Sequence, residues 1–221
     1  MTLSHQLIGD GNRIQKNTCE VAQDVLRMGA LVEELFRYSH QALFRGELDK
    51  VSLIIKQDKE VDRYYRQVEM RCATILSLHA PVAQELRIIS AFMQLVRDLE
   101  RIGDYAKDLG NIALRLTLYP PHPCMPKLAM MSQKAQIMLA KAMVALSELD
   151  GEAGRKIKLL DDSVDSAYDE LYHTLAHQRD IKGVVEPIIL LALATRHLER
   201  MADHATNIAQ RVSYIVTGHR D

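Results

Sequence analysis

Arg97-Asp98-Leu99-Glu100-Arg101-Ile102-Gly103-Asp104-Tyr105-Ala106 returns later in the chain as Arg196-His197-Leu198-Glu199-Arg200-Met201-Ala202-Asp203-His204-Ala205. Arg, Glu, Arg, Asp and a closing Ala recur at the same spacing. Each copy sets a Glu and an Asp four residues apart, and on a helix such residues lie one above the other on one face. Two like charges so placed repel by about a few tenths of a kcal/mol. A chain that repeats this arrangement needs a positive charge nearby, from flanking arginines or from a bound cation.

Working outward, the repeat covers most of the sequence. Met28, Ala42, Leu43, Asp58, Val61 and Asp62 are matched by Met131, Ala145, Leu146, Asp161, Val164 and Asp165 at a constant offset of 103 residues. At the opening motif the offset is 99, from Asp104 to Asp203, so the second half is four residues shorter between its second and third helices. Internal repeats set the architecture of a chain.

Within each half the apolar periodicity is helical. Val21, Val25, Met28, Leu35 and Ala42 recur at three- and four-residue steps, which predicts a long amphipathic helix from about Asn17. Residues 1–14 are mixed and expected to fray. Arg45-Gly46 breaks the first helix, and Asp49 is a candidate cap for a second through Val51, Val61, Val68 and Ile75. Pro81 is placed to open a third, through Leu86, Ile89, Phe92, Val96, Leu99, Ile102 and Ala106 to about Leu118. Pro120, Pro121, Pro123 and Pro126 then exclude a continuous helix. The pattern restarts over 128–149, 152–180 and 184–216, with turns at Asp150-Gly151 and Lys182-Gly183. The expectation is an all-α fold of six long helices in two tandem, similar three-helix bundles. The first repeat occupies 1–118, a proline-rich linker 119–126 and the second repeat 127–221.

Composition agrees. The 221 residues are 48% hydrophobic, with no Trp, only 10 Gly and 6 Pro, and a helix-former inventory. A net charge of −1 gives no reason to expect nucleic acid or an anionic membrane as a bulk partner. Cys19, Cys72 and Cys124 are scattered and fit neither a disulfide framework nor a zinc site, which suggests a reducing cytosol. The first residues carry no basic and apolar leader. The most apolar run, 184–194, holds Glu186 and Pro187 and is too short to span a bilayer.

The acidic residues are the candidate chemistry. Asp58 and Asp62 precede Glu100 and Asp104 by one helix, and Asp161 and Asp165 precede Glu199 and Asp203 in the same way. Side-by-side packing of the helices makes four carboxylates converge in each half. Oxygen-rich clusters suit hard or borderline cations, Fe, Mn, Zn or Mg, divalent or trivalent. Asp108 and Asn207 extend the two stripes. The alternative is a solvated face on which Arg97, Arg101, Arg196 and Arg200 neutralise the carboxylates. Glu170-x-x-His173 has ferritin-like spacing, but Gln67 and Met70 stand at the matching positions, so a di-iron core is not expected. His173 and His177 read as surface histidines, and Met28, Met93, Met131 and Met138 as core. No phosphate-binding glycine loop and no nucleophile–base set is picked out by spacing, so there is no positive case for an enzyme.

The chain resembles the PhoU family over about residues 21–218. The matching residues are Asp58-Lys59-Glu60-Val61-Asp62, Pro81-Val82-Ala83-Gln84-Glu85-Leu86-Arg87, the run from Asp98 to Asp104, Asp161 to Asp165, Leu198-Glu199-Arg200 and Asp203-His204-Ala205-Thr206-Asn207-Ile208-Ala209. Asp108-Leu109-Gly110 and Met201-Ala202 depart from the Asn-Ile-Ala and Ile-Gly that the family favours. The resemblance implies two three-helix bundles, metal at Glu/Asp-x-x-x-Asp motifs in some members, a homodimer, and a cytoplasmic, regulatory role. The implied partners are the phosphate ABC transporter with its ATPase and a phosphate-sensing histidine kinase, whose starvation signalling such proteins damp. The other readings are a carboxylate-rich metal-storage or metalloenzyme bundle, and a helical scaffold without metal.

Overall fold

The computed structural model describes residues 13–178 and 183–219, and six helices account for nearly all of them. They are α1 (Arg13–Arg45), α2 (Asp49–His79), α3 (Gln84–Leu116), α4 (Met125–Glu148), α5 (Ala153–Ala176) and α6 (Glu186–Thr217), with no strand among the described residues. Positions 1–12, 179–182 and 220–221, where part of the expected fraying and of the second break falls, lie outside them.

The helix starts differ from the sequence expectation. Asp49 is not a cap: Leu48 holds that position without a side-chain bond, and Asp49 lies inside the first turn, where its charge suits the positive helix end. Gly46, at φ 71°, turns the chain so that the Leu48 amide reaches the Gly46 carbonyl at 2.9 Å. Pro81 does not open α3 either. Ala80 and Ala83 adopt positive φ of 44° and 49°, which interrupts helical geometry and delays α3 to Gln84, leaving Pro81 buried in the connection. Pro126 falls in the first turn of α4, where its missing N–H costs nothing. The stretch between α3 and α4 is therefore 117–124 rather than 119–126.

Each half is a three-helix bundle, α1–α2–α3 and α4–α5–α6. The halves join through α3 against α6 and α1 against α4. The central helices are the most thoroughly buried: Leu95, Leu99, Ile102 and Ala106 on α3, and Leu198, Met201, Ala205 and Ile208 on α6, have no exposed surface. Each large apolar side chain so buried contributes about 1.5–3 kcal/mol. Met28, Met131 and Met138 are fully buried, as their spacing predicted.

The interface carries the repeat into three dimensions. The offset of 99 takes Asp98 to His197 and Tyr105 to His204. Asp98 Oδ1 lies 2.8 Å from His204 Nδ1, and in the exchanged pair the rings of Tyr105 and His197 meet at a tilt with centres 5.3 Å apart. The offset of 103 takes Gly29 to Ser132 and His40 to Met143. His40 Nδ1 lies 3.0 Å from Ser132 Oγ, and in the exchanged pair Met143 packs so tightly on Gly29 that a Cβ there would meet its Cε at 2.1 Å. Such exchange is what a two-fold axis produces, as in an isologous dimer. The chemistry at matched positions has diverged. Buried Asp24 accepts from Gln67 (2.8 Å) and Arg71 (2.9 Å), whereas its counterpart Lys127 pairs with Glu170, so the charge of the bridge is inverted.

Candidate functional site

The two acidic rims form where the second and third helices of each bundle meet. In the first, Asp58 is buried at 9% exposure while Asp62, Glu100 and Asp104 are half-buried at the stripe's edge. Lys107, one turn beyond Asp104, places its Nζ 2.7 Å from Asp58 Oδ2 and 3.2 Å from Asp104 Oδ1. Arg101 adds Nε 3.5 Å from Glu100 and Nη1 3.7 Å from Asp104. Burial first, then the neighbouring Asp104 charge, raises the Glu100 pKa above the ordinary carboxylate value, with Asp62 contributing. Burial pulls Lys107 down, but its hydrogen bonds to Asp58 and Asp104 outweigh that and leave it raised.

The second rim has the same frame and different counter-charges. Asp161 is 2% exposed, and Asp165, Glu199 and Asp203 are half-buried. Lys158, one turn before Asp161, sets Nζ 2.9 Å from Asp161 Oδ2 and 3.8 Å from Asp162 Oδ1. Arg196 lies 2.9 Å from Glu199 and Arg200 3.1 Å from Asp203. Burial and then Asp161 raise the Asp165 pKa; burial and then Asp203 raise that of Glu199. Asp165 also acts on Glu199, and Asp203 on Asp165, so the four carboxylates share one field.

Asp161 Oδ1 and Glu199 Oε2 are buried without a hydrogen-bond partner. A buried acceptor left unsatisfied costs about 1–3 kcal/mol, more when charged. Asp161, Asp165, Glu199 and Asp203 supply oxygen donors of the kind that hard cations take. The first rim offers the same donor types in Asp58, Asp62, Glu100 and Asp104, with Lys107 already between them. As the side chains lie, no three His, Cys, Asp or Glu among the described residues stand close enough together to hold a metal ion.

Arg101, Arg196 and Arg200 pair with carboxylates on these faces as expected, whereas among the described residues no ion pair joins Arg97 to a carboxylate. The two lysines were missed, although Lys107 and Lys158 sit at i,i+3 spacing from Asp104 and Asp161 and were legible on that ground. Asp108, expected to extend the first stripe, lies within electrostatic reach of His197 on α6. His173 and His177 are exposed and stacked at 5.4 Å, consistent with surface residues.

The polar centre of the interface had no sequence signal. Asp98, 6% exposed, accepts from Arg211 Nη1 through Oδ2 and meets His204 through Oδ1, and Arg211 Nε donates to Gln94 Oε1 at 3.0 Å. These partners stand more than a hundred residues apart.

The class defined here is a tandem three-helix repeat protein with paired acidic rims on its second and third helices. The PhoU domain model matches residues 25–113 and 128–212, once in each half. The chain belongs to the PhoU family. It is 67% identical to a phosphate-specific transport system accessory protein PhoU homolog of Synechocystis, over 91% of this chain and 90% of that one. A homolog of the same description from Deinococcus radiodurans is 29% identical over 91% of this chain and 95% of its own. The crystal structure of PhoU from Pseudomonas aeruginosa superposes with a TM-score of 0.86 at 27% identity, covering 94% of this chain and all of that one. The phosphate transport system regulatory protein PhoU from Streptococcus pneumoniae gives 0.85 at 26% identity, covering 95% and 99%. By these descriptions the family is one of accessory and regulatory proteins rather than enzymes. Among the described residues no helix is long and apolar enough to cross a membrane.

Proposed function

We propose that this protein is a cytoplasmic negative regulator of phosphate uptake and phosphate-starvation signalling. It acts by binding the ATPase of the phosphate ABC transporter, a phosphate-sensing histidine kinase, or both, as a homodimer that carries metal on its acidic rims. The observation that carries the reading is 67% identity, along nine-tenths of the chain, to a protein named as an accessory of phosphate-specific transport. Two rigid bundles with duplicated acidic rims support it, because preformed helical surfaces lose little conformational entropy on docking. When bound, the metal supplies positive charge that draws Asp58, Asp62, Glu100 and Asp104, or Asp161, Asp165, Glu199 and Asp203, together.

The test is a deletion strain grown in ample phosphate. Starvation genes are expected to be switched on there and silenced again by the restored gene. A strain that represses them normally, with no transporter or kinase component co-purifying with the protein, refutes the regulatory reading and favours metal storage.

A further inference from the structure

The two rims share a frame and differ in one bridge. In the first, Lys107 of α3 reaches across to α2: its Nζ lies 2.7 Å from Asp58 and 3.2 Å from Asp104, so one ammonium joins two helices. The matching carboxylates of the second rim are Asp161 of α5 and Asp203 of α6, and Thr206 stands at the position of Lys107. Three cations reach this rim, but each pairs on its own helix: Lys158 with Asp161, Arg196 with Glu199 and Arg200 with Asp203. Among the described residues no cationic side chain joins a carboxylate of α5 to one of α6 there.

Without that bridge, polar atoms are left over. Asp161 Oδ1, Glu199 Oε2 and Thr206 Oγ1 are buried without a hydrogen-bond partner, and the Asp161 side chain is only 3% exposed. In the first rim no carboxylate oxygen is so stranded among the described residues. A buried acceptor that lacks a donor is costly in the low dielectric beneath the rim. The second rim is open from outside, since Asp203 keeps 34% of its side chain exposed. Beyond it the surface turns aromatic. The Arg196 guanidinium lies 5.8 Å from the ring centre of Tyr168, and Tyr168 stacks at 6.3 Å on exposed Tyr172, whose counterpart in the first half is Glu69.

We propose that the second rim is a docking seat for an arginine of a partner protein, which takes there the place that Lys107 fills in the first rim. This rests on the partner-binding part of the proposed function and needs no metal. Arginine suits the seat. Its planar fork carries five donors and addresses two carboxylates at once. Its N–H···O contacts of about 2.7–2.9 Å are of the length with which Lys107 already spans the equivalent pair of helices. The Tyr168–Tyr172 stack, which receives Arg196, offers its outer ring to the same kind of cation. The first rim is closed to such a partner, because its own chain supplies the ammonium. Docking therefore falls on one half of a molecule whose backbone is duplicated.

The test is calorimetric titration of the full chain, in chelator, with a short alanine-based helical peptide carrying two arginines four residues apart. The wild type should bind one peptide per chain. The same peptide with citrulline for arginine, alike in shape but uncharged, should bind about tenfold more weakly or worse, the effect of one charge-assisted hydrogen bond. Thr206→Lys installs the ammonium of the first rim and should weaken the peptide by as much while melting above the wild type. Lys107→Thr makes the converse change and should raise the count to two peptides per chain. Asp203→Asn and Glu199→Gln, which keep shape and remove charge, replace Thr206→Lys if it fails to fold by circular dichroism, and Lys107→Ala replaces Lys107→Thr. No binding by the wild type, equal binding of the citrulline peptide, wild-type affinity in Thr206→Lys or its replacements, or a count that stays at one in Lys107→Thr overturns the proposal. A wild-type oligomer that Thr206→Lys dissociates gives the seat to a second copy and overturns the partner assignment. The deletion strain reads separately: starvation genes switched on there without peptide binding refute the seat alone, and peptide binding with normal repression refutes the regulatory reading alone.

Discussion

Replacing Asp98 with Ala removes the polar clasp between the repeats. Asp98 is 6% exposed and meets His204 at 2.8 Å and Arg211 through its other oxygen. Truncation leaves the Arg211 guanidinium, whose side chain is only 25% exposed, with Gln94 as its remaining interface contact, and strands His204, whose Nε2 already lacks a partner. Breaking a buried pair by deleting one member costs about 3–5 kcal/mol. Partial exposure of Arg211 and its bond to Gln94 discount that to about 2–4 kcal/mol, a large part of a typical domain's 5–15 kcal/mol or so. The melting temperature should fall by roughly 4–16 °C, at about 2–4 °C per kcal/mol for a chain of this size. Urea unfolding followed by circular dichroism is the assay. Since the clasp joins α3 to α6, the transition should broaden or divide as the halves uncouple. Asp24→Ala serves as the comparison: equally buried at 3%, it bonds only within the first bundle, and should lower stability while leaving the transition single. A loss below about 1 kcal/mol for Asp98→Ala, the range of an exposed surface pair, refutes the claim that the clasp stabilises the interface.

Gly29→Ala puts a Cβ where Met143 Cε and Sδ now lie, at 2.1 and 2.8 Å; the flexible thioether end must swing aside, which offsets part of the helix-propensity gain of up to about 1 kcal/mol, and a Met143→Ala background should recover the full gain, so that equal effects in the two backgrounds of a double-mutant cycle in urea would contradict the contact. Burial, with Arg45 adding to it, lowers the His40 pKa, and burial lowers that of His197. In both the folded state binds its proton less readily than the unfolded one, so the stability these groups contribute is present above the ordinary histidine value of about 6.5 and is lost as pH falls through it toward the depressed folded value. Melting curves between pH 7 and 5 should show this slope, and His40→Met, which installs the residue of its counterpart position, should flatten it; an unchanged slope would contradict the assignment.

The sequence by itself determined the helices, their number and their duplication, because apolar periodicity, glycine and proline act on residues within a few turns of themselves. It also placed Asp58, Asp62, Glu100 and Asp104, and their counterparts Asp161, Asp165, Glu199 and Asp203, on paired helix faces, since i,i+4 spacing is a local property. Helix starts were less legible. Whether Asp49 caps and whether Pro81 opens a helix depends on backbone angles at Gly46, Ala80 and Ala83 that no composition rule fixes. Only the tertiary structure decided how the bundles meet. Asp98 finds His204 and Arg211 across the interface, and Gly29 finds Met143, through the packing of α3 on α6 and α1 on α4. No periodicity encodes contacts between residues a hundred positions apart. The same holds for the rims: that Lys107 bridges two helices while Lys158 serves one, leaving Asp161 and Glu199 with stranded oxygens, follows from the distance between packed helices, which the spacing along either helix does not contain.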